Sequence, residues 1–276
     1  MGHLKRRVFC FVLWCLVAMA PGGEGQDPLT GILGAFGDEV RLLVERLDAR
    51  EERKIEGIQF WLGRLKGRRV AIARTGVGKV NAAITATLLQ THFHPTEVLF
   101  TGIAGGLNPE LKPGDIVIAE KTVHHDYGDL TTRGMVREGA RNPVTGQRNP
   151  TFLPADARLL KAALAAKERV ALDPIEMKAG SKHTPRITSG IVATGDVFVA
   201  LPSKREELRK ELNADAVEME GAAVAQVCWQ WQVPCLVIRS LSDLADENAL
   251  ADARVFQKVA ARNSALLVVE IVAHLQ

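Results

Sequence analysis

Arg69-Val-Ala-Ile-Ala-Arg74, Thr75-Gly-Val-Gly78, Lys79 to Thr91, Glu97 to Thr101 and Gly102-Ile-Ala-Gly-Gly106 follow one another almost without a break. In turn they read as a strand, a tight glycine loop, an alanine- and leucine-rich helix, a short buried strand and a second glycine loop. The same alternation extends to both sides. Thr30 to Gly34 is an apolar run ending at glycine. Asp38 to Leu47 places Val40, Leu42, Leu43, Val44 and Leu47 as one face of an amphipathic helix with acidic groups at its start. Phe60 to Leu65 is a strand joined to Arg69–Arg74 by a turn at Lys66-Gly67, and Asp115 to Val123 is another strand. Further on come a helix at Ala155–Arg169, a strand at Ile187–Ala193 and a helix at Lys204–Leu212. A strand into Val217, a helix to Gln230, a strand at Cys235–Arg239 and a helix at Asp252–Leu275 complete the pattern. With no internal repeat, this predicts a single α/β domain over residues 27–276, with three α/β/α layers around a central mixed sheet. Residues 124–155 break the pattern. They are rich in Gly, Arg, Asn, Pro and Thr and read as a long surface excursion, with His124-His125-Asp126 at its root as a solvated loop.

The bulk properties set limits. The 276 residues are 47% apolar and 24% charged, as in an ordinary globular domain. Part of the net charge of +3 sits in Lys5, Arg6 and Arg7, so no basic stripe calls for nucleic acid. Those three residues precede an unbroken apolar run from Val8 to Ala20, which is short for a membrane span, and then the small or polar stretch Pro21 to Gln26. Residues 1–26 therefore read as a secretory signal peptide cut after Ala20 or before Gln26, with an uncleaved anchor as the alternative. The mature protein is expected in the periplasm or outside the cell, without stable membrane contact. Cys10 and Cys15 leave with the leader. Cys228 and Cys235 remain, as buried free thiols or as a disulfide.

In α/β folds ligands bind where strands hand over to loops. Candidate strand ends are Gly34–Glu39, Thr75–Gly78, Thr101–Gly106, Thr194–Phe198, Val217–Glu220 and Ser240–Asp243. Most can be read as plain turns or helix caps. Gly76-x-Gly78 fails the dinucleotide fingerprint because Asn81 replaces its third glycine, and no cluster has metal-ligand spacing. Glu218-Met219-Glu220 is different. Two carboxylates lie between Val217 and the core-like Gly221–Val224, so they must be paired or line a cleft. A carboxylate cleft without a metal motif suggests acid–base chemistry or hydroxyl recognition.

Taken jointly, Gly31–Val40, Thr75–Val80, Thr101–Leu107, Pro113–Val117, Val217–Glu220 and Arg239–Asp243 resemble the nucleoside phosphorylase superfamily. The chain looks most like its hydrolytic branch, the 5′-methylthioadenosine/S-adenosylhomocysteine nucleosidases, over about residues 30–275. The resemblance implies hydrolysis of an adenosine-type glycosidic bond, no cofactor, no metal and a homodimer. Asp243 would protonate or hydrogen-bond purine N7, and Glu39 would activate the attacking water. Glu220 would hold the ribose hydroxyls above Met219. Phe198 would stack on adenine, and the backbone of Val199 would read its amino edge. Phe36 and Val77 would lie near the 5′ substituent, and Ala104 and Gly105 would line the pocket. Glu218 is placed with the substrate, a structural carboxylate being its other reading. Ile103 and Ala253 depart from the family's pattern at the pocket. The phosphorylases' anion-binding arginines have no counterpart beside Asp38-Glu39 or in Glu97–Phe100. Water is therefore the expected nucleophile. A phosphate-dependent phosphorylase and an exported nucleoside-binding protein without turnover are the rival readings.

Mass spectrometry of fractionated producing cells is expected to find a chain lacking residues up to about 26, outside the cytoplasm. A full-length soluble cytoplasmic chain would refute the leader.

Overall fold

The computed structural model describes residues 27–177 and 180–275, so the expected leader at 1–26 lies outside the described residues. The first half runs β1 (Leu29–Gly34), α1 (Gly37–Glu45), β2 (Asp48–Ile55), β3 (Ile58–Leu65), β4 (Arg68–Arg74), α2 (Lys79–Phe93), β5 (Glu97–Gly106) and β6 (Ile116–His124). The excursion carries β7 (Gly128–Thr131), β8 (Gly134–Arg137) and β9 (Phe152–Pro154). Then follow α3 (Ala157–Ala166), β10 (Ile175–Glu176), β11 (Lys182–His183), β12 (Ile187–Thr194), α4 (Pro202–Leu212), β13 (Ala216–Glu218), α5 (Gly221–Trp231), β14 (Cys235–Asp243) and α6 (Ala249–His274).

The main sheet has the order β13-β12-β6-β14-β5-β1-β4-β3-β2, and it is mixed as expected. Its central strands are buried on both faces, and their side chains alternate between two cores. Ala71, Ala73, Val98, Phe100 and Val237 face α2 and α5. Val70, Ile72, Leu99, Leu236 and Ile238 face α1, α3 and α6. This is the three-layer α/β/α arrangement.

One pairing positions the site. β13 pairs with β12 in parallel and also with β5 in antiparallel fashion, Ala216 opposite Gly106 and Val217 opposite Gly105. That second pairing curls this half of the sheet back on itself. β14 reaches the same place, with Asp243 opposite Gly105. The ends of β5, β12, β13 and β14 thus converge.

Three local expectations change. Gly102–Gly106 is the end of β5 and not a loop, because β13 and β14 both pair with it. β2 was not anticipated: seven of the eight residues in Asp-Ala-Arg-Glu-Glu-Arg-Lys-Ile are exposed, and the strand is held only at the sheet edge by β3. The excursion contains the β7–β8 hairpin, and its root is not solvated, since His125 is buried.

Candidate active site

The convergent strand ends frame a cleft of about 660 Å³, counting its open mouth. Among the expected residues, Phe36, Val77, Ala104, Gly105, Phe198, Val199, Glu218, Met219, Glu220 and Asp243 all line it. Glu39 is not among the lining residues. It lies behind the wall, because the backbone holds it there: Glu39 Oε2 accepts from the amides of Ala35 and Phe36 at 2.5 and 2.9 Å, and Oε1 from Ile103 at 2.9 Å. Its carboxylate thus caps the start of α1 and ties it to β5. Burial raises the Glu39 pKa; Arg239 and the three amides oppose that rise.

Asp243 ends β14 and is 1% exposed. Ser242 Oγ donates to its Oδ2 at 2.8 Å, and the Ala245 amide to its Oδ1 at 2.9 Å. Burial nevertheless outweighs both donors and raises its pKa. A carboxyl that keeps its proton closer to neutrality is what an acid aimed at a leaving base requires.

Glu218 needs correction. It borders the cleft, but its carboxylate is spent on the scaffold. Arg239 donates to Glu218 Oε2 through Nη2 at 2.6 Å and Nε at 3.1 Å. The Glu220 amide also reaches Oε2, the Gly221 amide both oxygens, and Thr194 Oγ1 reaches Oε1. Both Glu218 oxygens thus accept from the scaffold, as its structural reading expects, while the residue still lines the cleft. Arg239 itself was missed as a site-building residue. Its signal was present: one arginine within the apolar run Cys235–Leu241, which burial forces to find a carboxylate. Its guanidinium also lies 4.1 Å from the Phe100 ring centroid. Val197, Ser242 and Gln257 are further lining residues, and Gln257 carries no signal beyond a polar position on α6.

Glu220 is set by a glycine turn. Gly78, at φ +93°, donates its amide to Glu220 Oε1 at 2.7 Å. Burial, then the neighbouring Glu218 charge, push the Glu220 pKa up to about 8. Among the described residues no lysine or arginine lines the cleft, and no group of metal-ligating side chains exists. Cys228 and Cys235 are buried free thiols.

The fold and the carboxylate cleft are those of one superfamily. A model described as "Phosphorylase superfamily" matches residues 30–273. A 5′-methylthioadenosine/S-adenosylhomocysteine nucleosidase of Geobacillus kaustophilus is 41% identical over 241 residues, 87% of this chain and 94% of the relative. The crystal structure of such a nucleosidase from Neisseria meningitidis, in complex with methylthio-immucillin-A, is 35% identical with a TM-score of 0.75, covering 89% of this chain and 98% of that one. The Colwellia psychrerythraea nucleosidase in complex with adenine is 34% identical with a TM-score of 0.76, covering 91% and 96%. The chain belongs to the phosphorylase superfamily and, within it, to the 5′-methylthioadenosine/S-adenosylhomocysteine nucleosidase family.

The Glu220 carboxyl gives a pH signature. Its folded pKa near 8 lies above the ordinary 4.5. Its stabilising contribution is therefore complete below about pH 4.5 and is lost as the pH rises through about 8, where the folded chain must also release the proton. The Tm of the wild type is expected to fall between pH 5 and 8 more steeply than that of Glu220→Gln. Equal slopes in thermal melts of the two proteins would show that Glu220 is not protonated in the folded state.

Proposed function

We propose that the protein is an N-ribosyl hydrolase that cleaves the glycosidic bond of 5′-methylthioadenosine, S-adenosylhomocysteine or a related adenosine nucleoside, releasing adenine. The observation that carries this reading is a cleft holding a buried Asp243, its pKa raised by burial, at one end and Glu220 in its wall, with no lysine or arginine among its described lining residues. Adenine stacks on Phe198 with its edge on the Val199 backbone and N7 toward Asp243. As the C1′–N9 bond breaks, its electron pair moves into the purine, and Asp243 supplies the proton to N7. Glu220 holds the ribose hydroxyls, with Met219 under the sugar. The cation-like sugar is stabilised by the surrounding carboxylates. Water adds at C1′, and Glu39, whose carboxylate is bonded by the amides of the lining residues Phe36 and Ile103, takes its proton. The 5′ substituent leaves toward Phe36, Val77 and Ile103. Phosphorolysis would need a dianion site built from cations, and among the described residues no lysine or arginine lines the cleft.

Two further readings follow. Exposed Val80 and Ile84 on one face of α2, with Val197 and Leu201 beyond β12, support a homodimer. The leader over residues 1–26 supports export to the periplasm or beyond, with residues 27–276 as the catalytic domain.

Asp243→Asn is expected to lower kcat by about 10²-fold or more with the fold intact, because the amide keeps the shape but delivers no carboxylic proton. Adenine release by the wild type should be unchanged by added phosphate or chelator. Near-normal turnover in the folded variant would remove Asp243 from its role. A phosphate requirement would favour the phosphorylase, and tight nucleoside binding without adenine release would favour a mere binder.

In sedimentation velocity the mature wild type should run as a dimer, and Ile84→Glu should shift it toward the monomer. A monomeric wild type at micromolar concentration would refute the interface.

A further inference from the structure

The root of the excursion, His124-His125-Asp126, enters none of the chemistry above, yet it is built into the site. After a bulge at Gly190/Ile191, β6 and β12 pair as far as Thr194 opposite His124, and the His125 amide continues the ladder to the Thr194 carbonyl at 2.8 Å. The His125 ring is 2% exposed and packs against Gly195, where any Cβ would collide with it. Asp126 then forms a closed ring of contacts. Its Oδ2 accepts the Asp196 amide at 2.8 Å, and its Oδ1 accepts Lys79 Nζ at 2.6 Å. The Asp196 carboxylate returns to Lys79, taking its amide at 2.8 Å, with Nζ at 3.7 Å from the other oxygen.

The two segments closed by this ring carry the two halves of the pocket. Asp196 precedes Phe198 and Val199 by two and three residues. Lys79 directly follows Gly78, whose amide holds Glu220, and Val77, which lines the cleft. Among the described residues the direct hydrogen bond between the loop after β12 and the start of α2 is that of the Lys79 amide to Asp196, and Asp126 supplies the side-chain bridge between the two segments. Asp196 also sits at the N-terminus of α2, where the helix dipole favours a negative charge. Burial opposes the Asp126 charge, but Lys79 and the Asp196 amide hold its carboxyl below the ordinary range.

We propose that Asp126 and Lys79 are positioning residues that lock the purine-binding loop onto the ribose-binding start of α2, so that the excursion sets adenine affinity from outside the pocket. This rests on the nucleosidase reading. Neither side chain lines the cleft, so breaking the ring should displace the purine platform and leave Asp243 and Glu39 in place.

The test uses the mature protein, with Asp126→Asn, Lys79→Met, both together, and Lys79→Arg. Adenine affinity by calorimetry, kcat and KM for 5′-methylthioadenosine, and Tm are measured for each. Losing one charge-assisted contact should weaken adenine binding and raise KM by about tenfold, with kcat and Tm close to wild type. The double variant should be no worse than either single one, since the ring breaks once. Lys79→Arg, which keeps the charge, should retain adenine affinity. If Asp126→Asn does not fold, Lys79→Met and Lys79→Arg carry the same comparison. Unchanged adenine affinity, additive losses in the double variant, or losses that simply follow a lowered Tm would overturn the proposal. Failure of the nucleosidase reading shows separately, as a wild type that binds adenine yet releases none from nucleoside.

Discussion

The buried pair of Glu218 and Arg239 is the interaction on which the rest of the site depends. Both side chains are almost fully enclosed, and every oxygen of Glu218 has a donor. Breaking such a pair from one side leaves an uncompensated buried charge, which costs about 3–5 kcal/mol. The pair joins β13 to β14 beneath the cleft. Through the Gly221 and Glu220 amides it also fixes where α5 begins, and hence where Glu220 points. The Arg239 guanidinium further bonds the carbonyls of Phe100 and Ile238, so β5 is tied in as well.

The same pair sets the proton inventory. Glu218, Glu39, Glu220 and Asp243 crowd into one buried region with Arg239, and the arginine is committed to Glu218. The other three carboxyls therefore meet burial without a salt-bridge partner, and each has a raised pKa. Glu220 is raised further by the charge that Glu218 keeps. Carboxyls whose pKa lies above the ordinary range are suited to moving protons near neutrality.

Much of this was legible in the chain. The alternation of buried runs with amphipathic helices predicted the layers, because both faces of the central strands are covered and period and length agree. β2 was illegible: its side chains face water, so nothing in its composition distinguishes it from a loop. The excursion hairpin is short and exposed for the same reason. At the site, all the lining residues expected from the motifs line the cleft, since strand ends are where side chains leave the packed interior. Glu218 and Glu39 were harder, because a carboxylate bound by scaffold donors and one bound by substrate read alike. Only Arg239, out of place in an apolar strand, betrayed where Glu218 would turn.

The glycines acquire a different meaning from the one their spacing suggests. A Cβ on Gly102 would stand 2.7 Å from Glu39 Oε1, one on Gly105 2.8 Å from Asp243 Oδ1, and one on Gly221 3.0 Å from Glu218 Oε1. Each of these glycines makes room for a carboxylate against the backbone, and none of the three adopts a positive φ. Gly102 and Gly105 are spacers inside β5 and Gly221 is one at the first residue of α5, not turns. This explains why β5 keeps pairing through a run that reads as a loop, and how three carboxylates pack against the backbone beside the cleft. Among the described residues no lysine or arginine lines the cleft, so nothing in its wall would pair with a dianion.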